Sequence, residues 1–251
     1  MKQLGLIGYP LSHSFSKKYF EDKFQHLALT DYSYEVFPLE KIEELTVLLN
    51  QRAQLIGLNV TIPYKEQVIP FLDQLDETAK AVGAVNCIKI ETLNGVKKLI
   101  GYNTDVFGFR QSIKPFLEPQ HERALIIGTG GASKAVEFVL KQIGVECWFM
   151  SRDKTESKKP NCLNYDELNQ YVVQAFKLIV NTSPVGMYPN TANCPLIPYQ
   201  YIAPGHLLYD LVYNPEETLF MKKGKEQGAV AVNGLSMLYH QADKAWEIWN
   251  E

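Results

Sequence analysis

The sequence predicts an α/β protein with two lobes and a cleft between them: an N-terminal mixed α/β domain and a second domain built on a parallel sheet. Strand-like apolar runs alternate with helical patterns through the first hundred residues. A strand, a glycine-rich loop, a helix and another strand then follow one another between residues 124 and 150. Such alternation is typical of sheets that are mainly parallel.

The N-terminal domain is predicted to contain glycine-bounded or β-branched strands separated by helices. Asn94-Gly95 is the strongest short-range hairpin signal in the chain. Apolar residues three or four positions apart predict helices over Ser14–Leu29 and around Ile42–Leu49, with short helical pieces as far as Val82. The strands are predicted at Leu4–Gly8, Tyr32–Phe37, Leu55–Ile62, Asn86–Glu91 and Lys97–Tyr102.

The second domain is predicted to begin with a connecting helix over Asp105–Phe116, which Pro119 ends. A further helix is expected over Ser133–Ile143, and a helical pattern runs from Asn233 to the C-terminus. The strands are predicted at Ala124–Ile127, Val145–Met150, Lys177–Val180, Leu207–Leu211 and Ala229–Val232.

The length and charge of the chain limit its architecture and its partners. A chain of 251 residues suits one large domain or two smaller ones. We expect residues 1–104, completed by 233–251, to form the first domain and residues 105–232 the second. The formal net charge of -3 excludes a polybasic surface for nucleic acid or anionic membranes. Whether the chain is a monomer or a homodimer stays open.

The cysteines and the apolar runs indicate the compartment. The four cysteines are scattered without a Cys-x-x-Cys pair, which fits neither a zinc site nor a disulfide framework. No run approaches the ~20 apolar residues of a membrane span. We therefore expect a cytoplasmic protein without a metal site.

The segment Asn59–Lys65 carries the first candidate for chemistry. A β-branched run reads as a strand and is stopped by Pro63, which lacks an amide donor. Lys65 follows directly, so that its ammonium sits near a fixed strand end. An ammonium held there can donate a proton to an oxygen that gains charge, as carbonyl reduction requires. The alternative is a surface charge beside a proline turn.

A glycine-rich loop follows the first strand of the second domain. Gly128, Thr129, Gly130, Gly131 and Ala132 follow an apolar strand and open a helix. Backbone amides and the positive end of a helix dipole at such a turn suit a pyrophosphate, which predicts a Rossmann-like dinucleotide site. The spacing is not the standard G-x-G-x-x-G, and the alternative is a tight structural turn.

The end of the next strand bears on the choice of dinucleotide. An acid at this position usually meets a free 2′-hydroxyl, whereas an arginine suits a 2′-phosphate. Ser151-Arg152 stands there and favours NADP, while the following Asp153 counts against it. NADP is therefore the expected cofactor, and NAD is the alternative.

Further polar residues cluster at predicted strand ends. Ser12 and Ser14 follow the first strand and suit a small polar ligand, although a serine before a helix is also a preferred N-cap. Asn86 begins the hairpin. Asp105 heads the next helix, either as a cap or as an ion-pair partner for Lys65.

Taken together, these segments resemble the shikimate dehydrogenase family. They occur in family order and cover nearly the whole chain, which makes the resemblance specific. The matching segments are Gly8–Ser14, Asn59–Lys65, Gly83–Asn86, Gly101–Asp105, Gly128–Ala132, Asn181–Met187, Tyr209–Tyr213 and Gly234–Gln241.

The resemblance implies NADPH-dependent reduction of 3-dehydroshikimate to shikimate, on the route to chorismate and the aromatic amino acids. It implies that Lys65 is the catalytic lysine and Asp105 its partner. Substrate would be held by Ser12, Ser14, Thr61, Asn86, Asp105, Tyr213 and Gln241. The cofactor would be held by Gly128, Thr129, Gly130, Gly131, Ala132, Ser151, Arg152, Leu211 and Gly234.

Two other functions stay open from the sequence. A quinate/shikimate dehydrogenase that prefers NAD is kept open by Asp153, because the family commonly reads Asn-Arg-Thr at Ser151-Arg152-Asp153. A non-catalytic nucleotide-binding regulator would be expected to lack Lys65 or Asp105, and both are present.

Overall fold

The computed structural model describes residues 1–11, 15–151 and 161–251, which form two compact units. The first unit consists of Met1–Thr104 and Ala242–Glu251, and the second of Asp105–Gln241. Each unit contains one six-stranded sheet.

The sheet of the first unit is mixed. Its strand order is β2-β1-β3-β5-β6-β4, with β1 parallel to both β2 and β3, and β5 antiparallel to β3 and β6. Asn94 and Gly95 form the β5–β6 turn with positive φ angles of 52° and 80°, as the sequence predicts. The strands are β1 (Lys2–Gly8), β2 (Tyr32–Pro38), β3 (Leu55–Val60), β4 (Gln74–Leu75), β5 (Cys87–Leu93) and β6 (Val96–Tyr102).

Helices cover the first sheet and build two apolar cores. One core joins Leu45 and Leu48 to the sheet residues Leu55, Leu58 and Ile88. The cap of the fourth helix is Asp76, whose carboxylate accepts from the backbone N–H of Ala79 at 2.8 Å. The helices are α1 (Phe15–His26), α2 (Glu44–Gln51), α3 (Tyr64–Gln67) and α4 (Glu77–Val82), with a 3₁₀ turn at Ile69–Phe71.

The second core of this unit includes the C-terminal residues. Ala242, Ala245, Ile248 and Trp249 pack with Phe20 of the first helix and with sheet residues such as Leu4 and Tyr34. The indole N–H of Trp249 donates to the carbonyl of Ile88 at 3.0 Å. A Cβ at Gly57 would lie 2.3 Å from the Trp249 ring nitrogen, so the strand is bare at the point where the ring rests on it.

All paired strands of the second sheet are parallel, as expected. The order is β12-β11-β10-β7-β8-β9, which places the carboxyl ends of β7, β10 and β11 side by side. The strands are β7 (Arg123–Ile127), β8 (Glu146–Met150), β9 (Cys162–Leu163), β10 (Leu178–Asn181), β11 (Leu207–Asp210) and β12 (Val230–Val232).

The helices of the second unit flank this sheet. The apolar core joins strand residues such as Leu125, Ile179 and Leu208 to Phe176 and Phe220. The helices are α5 (Asp105–Ile113), α6 (Gly131–Gln142), α7 (Gln170–Ala175) and α8 (Leu219–Glu226), with 3₁₀ turns at Lys114–Phe116, Tyr165–Glu167 and Tyr199–Tyr201. The last helix, α9 (Leu235–Asn250), begins in this unit, and its residues from Ala242 onward belong to the first unit.

Membrane-spanning helices, metal-ligand clusters and disulfides are not found in the part of the chain that the structure describes. Within residues 1–11, 15–151 and 161–251, no helix has the length and apolarity to cross a bilayer. The same part of the chain holds no group of His, Cys, Asp or Glu side chains suited to a metal ion. All four cysteines are free thiols.

Candidate functional site

The carboxyl ends of β1 and β3 are joined by backbone hydrogen bonds. The N–H of Thr61 donates to the carbonyl of Ile7 at 3.0 Å, and the N–H of Tyr9 donates to that of Ile62 at 3.1 Å. A Cβ at Gly8 would lie 2.5 Å from the Thr61 methyl carbon. The side chain of Thr61 therefore packs against β1 at Gly8, where the strand has no side chain. This contact fixes the position of one predicted substrate residue.

Lys65 is the second residue of the short helix α3 and is half-buried. Its neighbour Tyr64 is buried and donates its hydroxyl to the carbonyl of Leu39 at 2.5 Å. The carbonyl of Lys65 itself accepts from the N–H of Val85 at 2.7 Å. The backbone at Lys65 is thus anchored from two sides, through Tyr64 and through Val85.

Asn86 links β3 to the chain that precedes α5. Its carbonyl accepts from the N–H of Val60 at 2.8 Å. Its side-chain amide donates to the Thr104 hydroxyl at 2.9 Å, and its side-chain oxygen accepts from the Thr104 N–H at 2.7 Å. Both residues are buried. Together with the Lys65–Val85 bond, these contacts bring Thr61, Lys65 and Asn86 to one region of the first unit.

Asp105 directly follows Thr104 and is the first residue of α5, with 5% of its surface exposed. The neighbouring Asn103 is also buried and donates its amide to the carbonyl of Ala84 at 2.8 Å. The chain that leads into Asp105 is therefore fixed to Ala84 and Asn86 by side-chain hydrogen bonds.

In the second unit, the glycine loop connects β7 to the N-terminus of α6. Gly128 has a φ of +104°, which an L-residue rarely adopts, and a Cβ there would lie 2.9 Å from the Thr182 hydroxyl. The N-cap is Gly130, where a Cβ would meet nothing within 4 Å. The loop therefore leaves open space at the N-terminus of a twelve-residue helix, which fits a pyrophosphate.

At the carboxyl ends of β11 and β12, two backbone segments lie close together with no side chain between them. The N–H of Leu211 donates to the carbonyl of Asn181 at 2.9 Å, and the N–H of Gly234 donates to that of Val212 at 3.2 Å. A Cβ at Gly234 would lie only 2.2 Å from the carbonyl oxygen of Leu211. We call Leu211, Val212, Tyr213 and Gly234 the backbone ledge.

A buried carboxylate stands beside this ledge. Asp210 has no exposed surface and accepts hydrogen bonds from Asn181, Val212 and Thr218. Burial raises the pKa of Asp210 to about 6, and the three hydrogen bonds act in the opposite direction. No role for Asp210 is predicted from the sequence, although an acid within the apolar run Leu207–Leu211 is a visible signal.

The remaining predicted site residues are spread through the second unit or lie outside the described residues. Ser151 follows β8, and its N–H donates to the carbonyl of Leu163 at 3.1 Å. Tyr213 is half-buried, and burial raises the pKa of its phenol. Gln241 lies on α9, where its amide donates to the carbonyl of Leu238 at 3.0 Å. The predicted residues outside the described ranges are Ser12, Ser14 and Arg152.

These features define a class: α/β proteins of two units, one with a mixed sheet and one with a Rossmann-like parallel sheet that opens on a glycine loop. A family model described as the shikimate dehydrogenase substrate binding domain matches residues 6–88. A shikimate dehydrogenase (NADP(+)) from Methanococcus aeolicus is 39% identical over 99% of this chain and 91% of its own length. The chain belongs to the shikimate dehydrogenase family.

Solved structures agree with this assignment. A shikimate dehydrogenase in complex with NADP+ is 32% identical, with a TM-score of 0.84 over 99% of this chain and 90% of its own. A quinate dehydrogenase from Corynebacterium glutamicum in complex with NAD is 25% identical, with a TM-score of 0.85 over 99% of this chain and 93% of its own.

Proposed function

We propose that this chain is a shikimate dehydrogenase that catalyses the reversible NADPH-dependent reduction of 3-dehydroshikimate to shikimate, in the biosynthesis of chorismate and the aromatic amino acids. The proposal is supported by similarity to a shikimate dehydrogenase (NADP(+)) along 99% of the chain. The chemistry rests on the position of Lys65. Its backbone is anchored near Asn86 and Thr61, in the unit that matches the substrate-binding model.

The second unit is the proposed NADP-binding domain, and its residues fit that group. Gly128, Thr129, Gly130, Gly131 and Ala132 would receive the pyrophosphate at the N-terminus of α6, where Gly130 leaves open space. The 2′-phosphate would be held near Ser151 and Arg152. Leu211 and Gly234 would offer bare backbone to the nicotinamide. When bound, this cofactor supplies the hydride of the reaction.

The first unit is the proposed substrate-binding and catalytic domain. Lys65 donates a proton from its ammonium to the oxygen that the carbonyl reduction leaves negatively charged, and neutral Lys65 takes the proton back in the reverse direction. Asp105 is the proposed partner carboxylate, which orients the ammonium and accepts from a substrate hydroxyl. The proposed substrate-binding residues are Ser12, Ser14, Thr61, Asn86, Asp105, Tyr213 and Gln241.

The proposal is tested by following reduced-nicotinamide absorbance with shikimate and NADP+ for the wild type and Lys65→Ala. General acid–base assistance is typically worth ~10²–10⁴ in rate, so we expect kcat to fall by about that factor with a much smaller change in KM for shikimate. The matched control is Lys80→Ala, which removes an exposed lysine of the same unit and should keep wild-type kinetics.

Two results would count against this function. A wild-type protein that does not oxidise shikimate with either nicotinamide cofactor contradicts the activity itself. A Lys65→Ala variant that turns over near the wild-type rate contradicts the role of Lys65 while leaving the activity in place.

A second candidate is a quinate/shikimate dehydrogenase that prefers NAD. It is favoured by the structural similarity to a quinate dehydrogenase in complex with NAD and by Asp153, which follows Arg152 in the sequence. Steady-state kinetics with shikimate and quinate, each with NADP+ and NAD+, separate the two. We expect the highest kcat/KM for shikimate with NADP+, and a higher value for quinate with NAD+ would select the alternative.

We further propose that the enzyme works in the cytoplasm as a monomer or homodimer. The four free thiols support a reducing compartment. Sedimentation of the purified protein at several concentrations would determine the oligomeric state.

A further inference from the structure

Asp210 connects three segments of the second unit through its two carboxylate oxygens. Oδ1 accepts from the Asn181 amide at 2.9 Å and from the backbone N–H of Val212 at 3.0 Å. Oδ2 accepts from the Thr218 hydroxyl at 2.6 Å. All four residues are buried, with at most 5% of their surface exposed. These contacts form one polar cluster inside an otherwise apolar core.

The two oxygens serve different parts of the unit. On the Oδ1 side, Asn181 also donates to the carbonyl of Val185 and accepts from the N–H and hydroxyl of Ser183, at 3.3, 3.1 and 2.6 Å. Val212 in turn accepts from the N–H of Gly234. Oδ1 therefore fixes the loop 181–185 and the backbone ledge. On the Oδ2 side, Thr218 is the N-cap of α8 and accepts from the N–H of Met221 at 3.3 Å.

We propose that Asp210 is a positioning residue, whose Oδ1 holds the backbone ledge and the loop 181–185 in the arrangement that receives the nicotinamide end of the cofactor. This inference rests on the proposed function and extends it to a residue that would contact neither substrate nor cofactor. Leu211 and Gly234, the residues assigned to the cofactor, are reached through Asn181 and Val212.

The charge of Asp210 matters for this role. Its three partners offer an amide N–H, a backbone N–H and a hydroxyl, so an ionised carboxylate can accept from all of them. With a pKa of about 6, the carboxylate is mainly ionised at neutral pH despite its burial. Hydrogen bonds to an ionised acceptor are roughly twice as strong as neutral ones. An asparagine at this position keeps the shape and weakens the two bonds at Oδ1.

Three variants separate positioning from stability. Asp210→Asn removes the charge. Thr218→Val removes the hydroxyl that reaches Oδ2 and caps α8. Tyr209→Phe is the matched control, because it removes a buried hydroxyl on the same strand whose hydrogen bond, at 2.6 Å, is to Ser112 and not to Asp210.

The readouts are the Kd for NADP+ by titration, the melting temperature, and amide hydrogen exchange of residues 181–186 and 211–214 in the ligand-free protein. For Asp210→Asn we expect about a fivefold to tenfold higher Kd and faster exchange in both segments, with little loss of melting temperature because the buried charge is gone. For Thr218→Val we expect a lower melting temperature, from the lost cap, and a Kd within about twofold of the wild type.

The experiments distinguish failure of the inference about Asp210 from failure of the proposed function. A wild-type protein that binds neither NADP+ nor NAD+ would overturn the proposed function and the cofactor role of the ledge. If the wild type binds NADP+ but Asp210→Asn shows wild-type Kd and exchange, this inference alone is overturned. If Kd rises only in proportion to lost melting temperature across all three variants, Asp210 is structural and the inference is again overturned.

Discussion

Replacing Gly234 by alanine tests whether the backbone ledge needs a residue without a side chain. The added Cβ would lie 2.2, 2.6 and 3.0 Å from the carbonyl oxygen, carbonyl carbon and Cα of Leu211. All three atoms belong to the main chain, so no rotation of a side chain can relieve the contact. The tightest ordinary separation is 3.4 Å, so the two segments must move apart by about 1.2 Å (3.4 − 2.2).

The expected cost follows from that displacement. Overpacking of a well-packed site typically costs ~1–3 kcal/mol, and the shift also strains the bond from Gly234 N–H to the Val212 carbonyl at 3.2 Å. For a chain of this size ~1 kcal/mol corresponds to about 2–4 °C, so we expect the melting temperature to fall by roughly 2–12 °C. The Kd for NADP+ should rise as well, because the displaced residues are those assigned to the nicotinamide.

Circular dichroism on heating and titration with NADP+ measure the two effects. Gly130→Ala is the comparison for stability, because its Cβ meets nothing within 4 Å and its φ is -78°. We expect Gly130→Ala to lower the melting temperature less than Gly234→Ala does, because only the N-cap preference for glycine over alanine is lost, and to weaken NADP+ binding. If Gly234→Ala melts within about 1 °C of the wild type and binds NADP+ equally well, the close approach of Gly234 to Leu211 contributes neither to the stability of the fold nor to cofactor binding, and the reasoning is refuted.

Two further predictions concern buried polar groups. Asn86→Ala leaves the N–H of Thr104 without its side-chain acceptor and should lower the free energy of unfolding by about 1–3 kcal/mol and raise KM for shikimate, whereas Asn50→Ala on the exposed face of α2 should change neither. Because folding raises the pKa of Asp210 from 3.8 to about 6, the folded protein holds that proton more tightly. The free energy of unfolding of the wild type, relative to Asp210→Asn, should therefore fall by about 3 kcal/mol as the pH rises through the window between these two pKa values. Denaturant titrations across the window measure it, and a difference independent of pH would contradict the assigned pKa.

Local signals in the sequence predict much of the fold. The Asn94-Gly95 turn, the apolar strand before Gly128 and the helix that follows it are all found in the structure. Each depends on residues close in sequence, whose conformational preferences do not require knowledge of the rest of the chain.

Elements that depend on distant partners are not predicted. The two-residue strands β4 and β9 have no local pattern and exist because β6 and β8 offer them an edge. Helix α8 contains Gly224, which lowers helical propensity; its Cβ would lie 2.4 Å from a Leu208 side-chain carbon, so the glycine serves close packing instead.

The residues of the candidate site likewise fall into those that local sequence signals predict and those that depend on distant partners. Lys65 and the glycine loop are visible because strand ends and helix starts have local signatures. The cluster around Asp210 is not, because Asn181 lies 29 residues away in sequence and only the parallel pairing of β10 with β11 brings the two together. The predicted roles of the two domains, and of the individual site residues toward ligands, stay predictions.

The packing of Trp249 on Gly57 also bears on how the chain matures during synthesis. One of the two apolar cores of the first unit includes residues 242, 245, 248 and 249, so that core stays incomplete until those residues have been made. The second unit is continuous from Asp105 to Gln241 and has its full set of strands earlier. On the ribosome we therefore expect the unit encoded first to reach its final packing last, after the unit that follows it in the sequence.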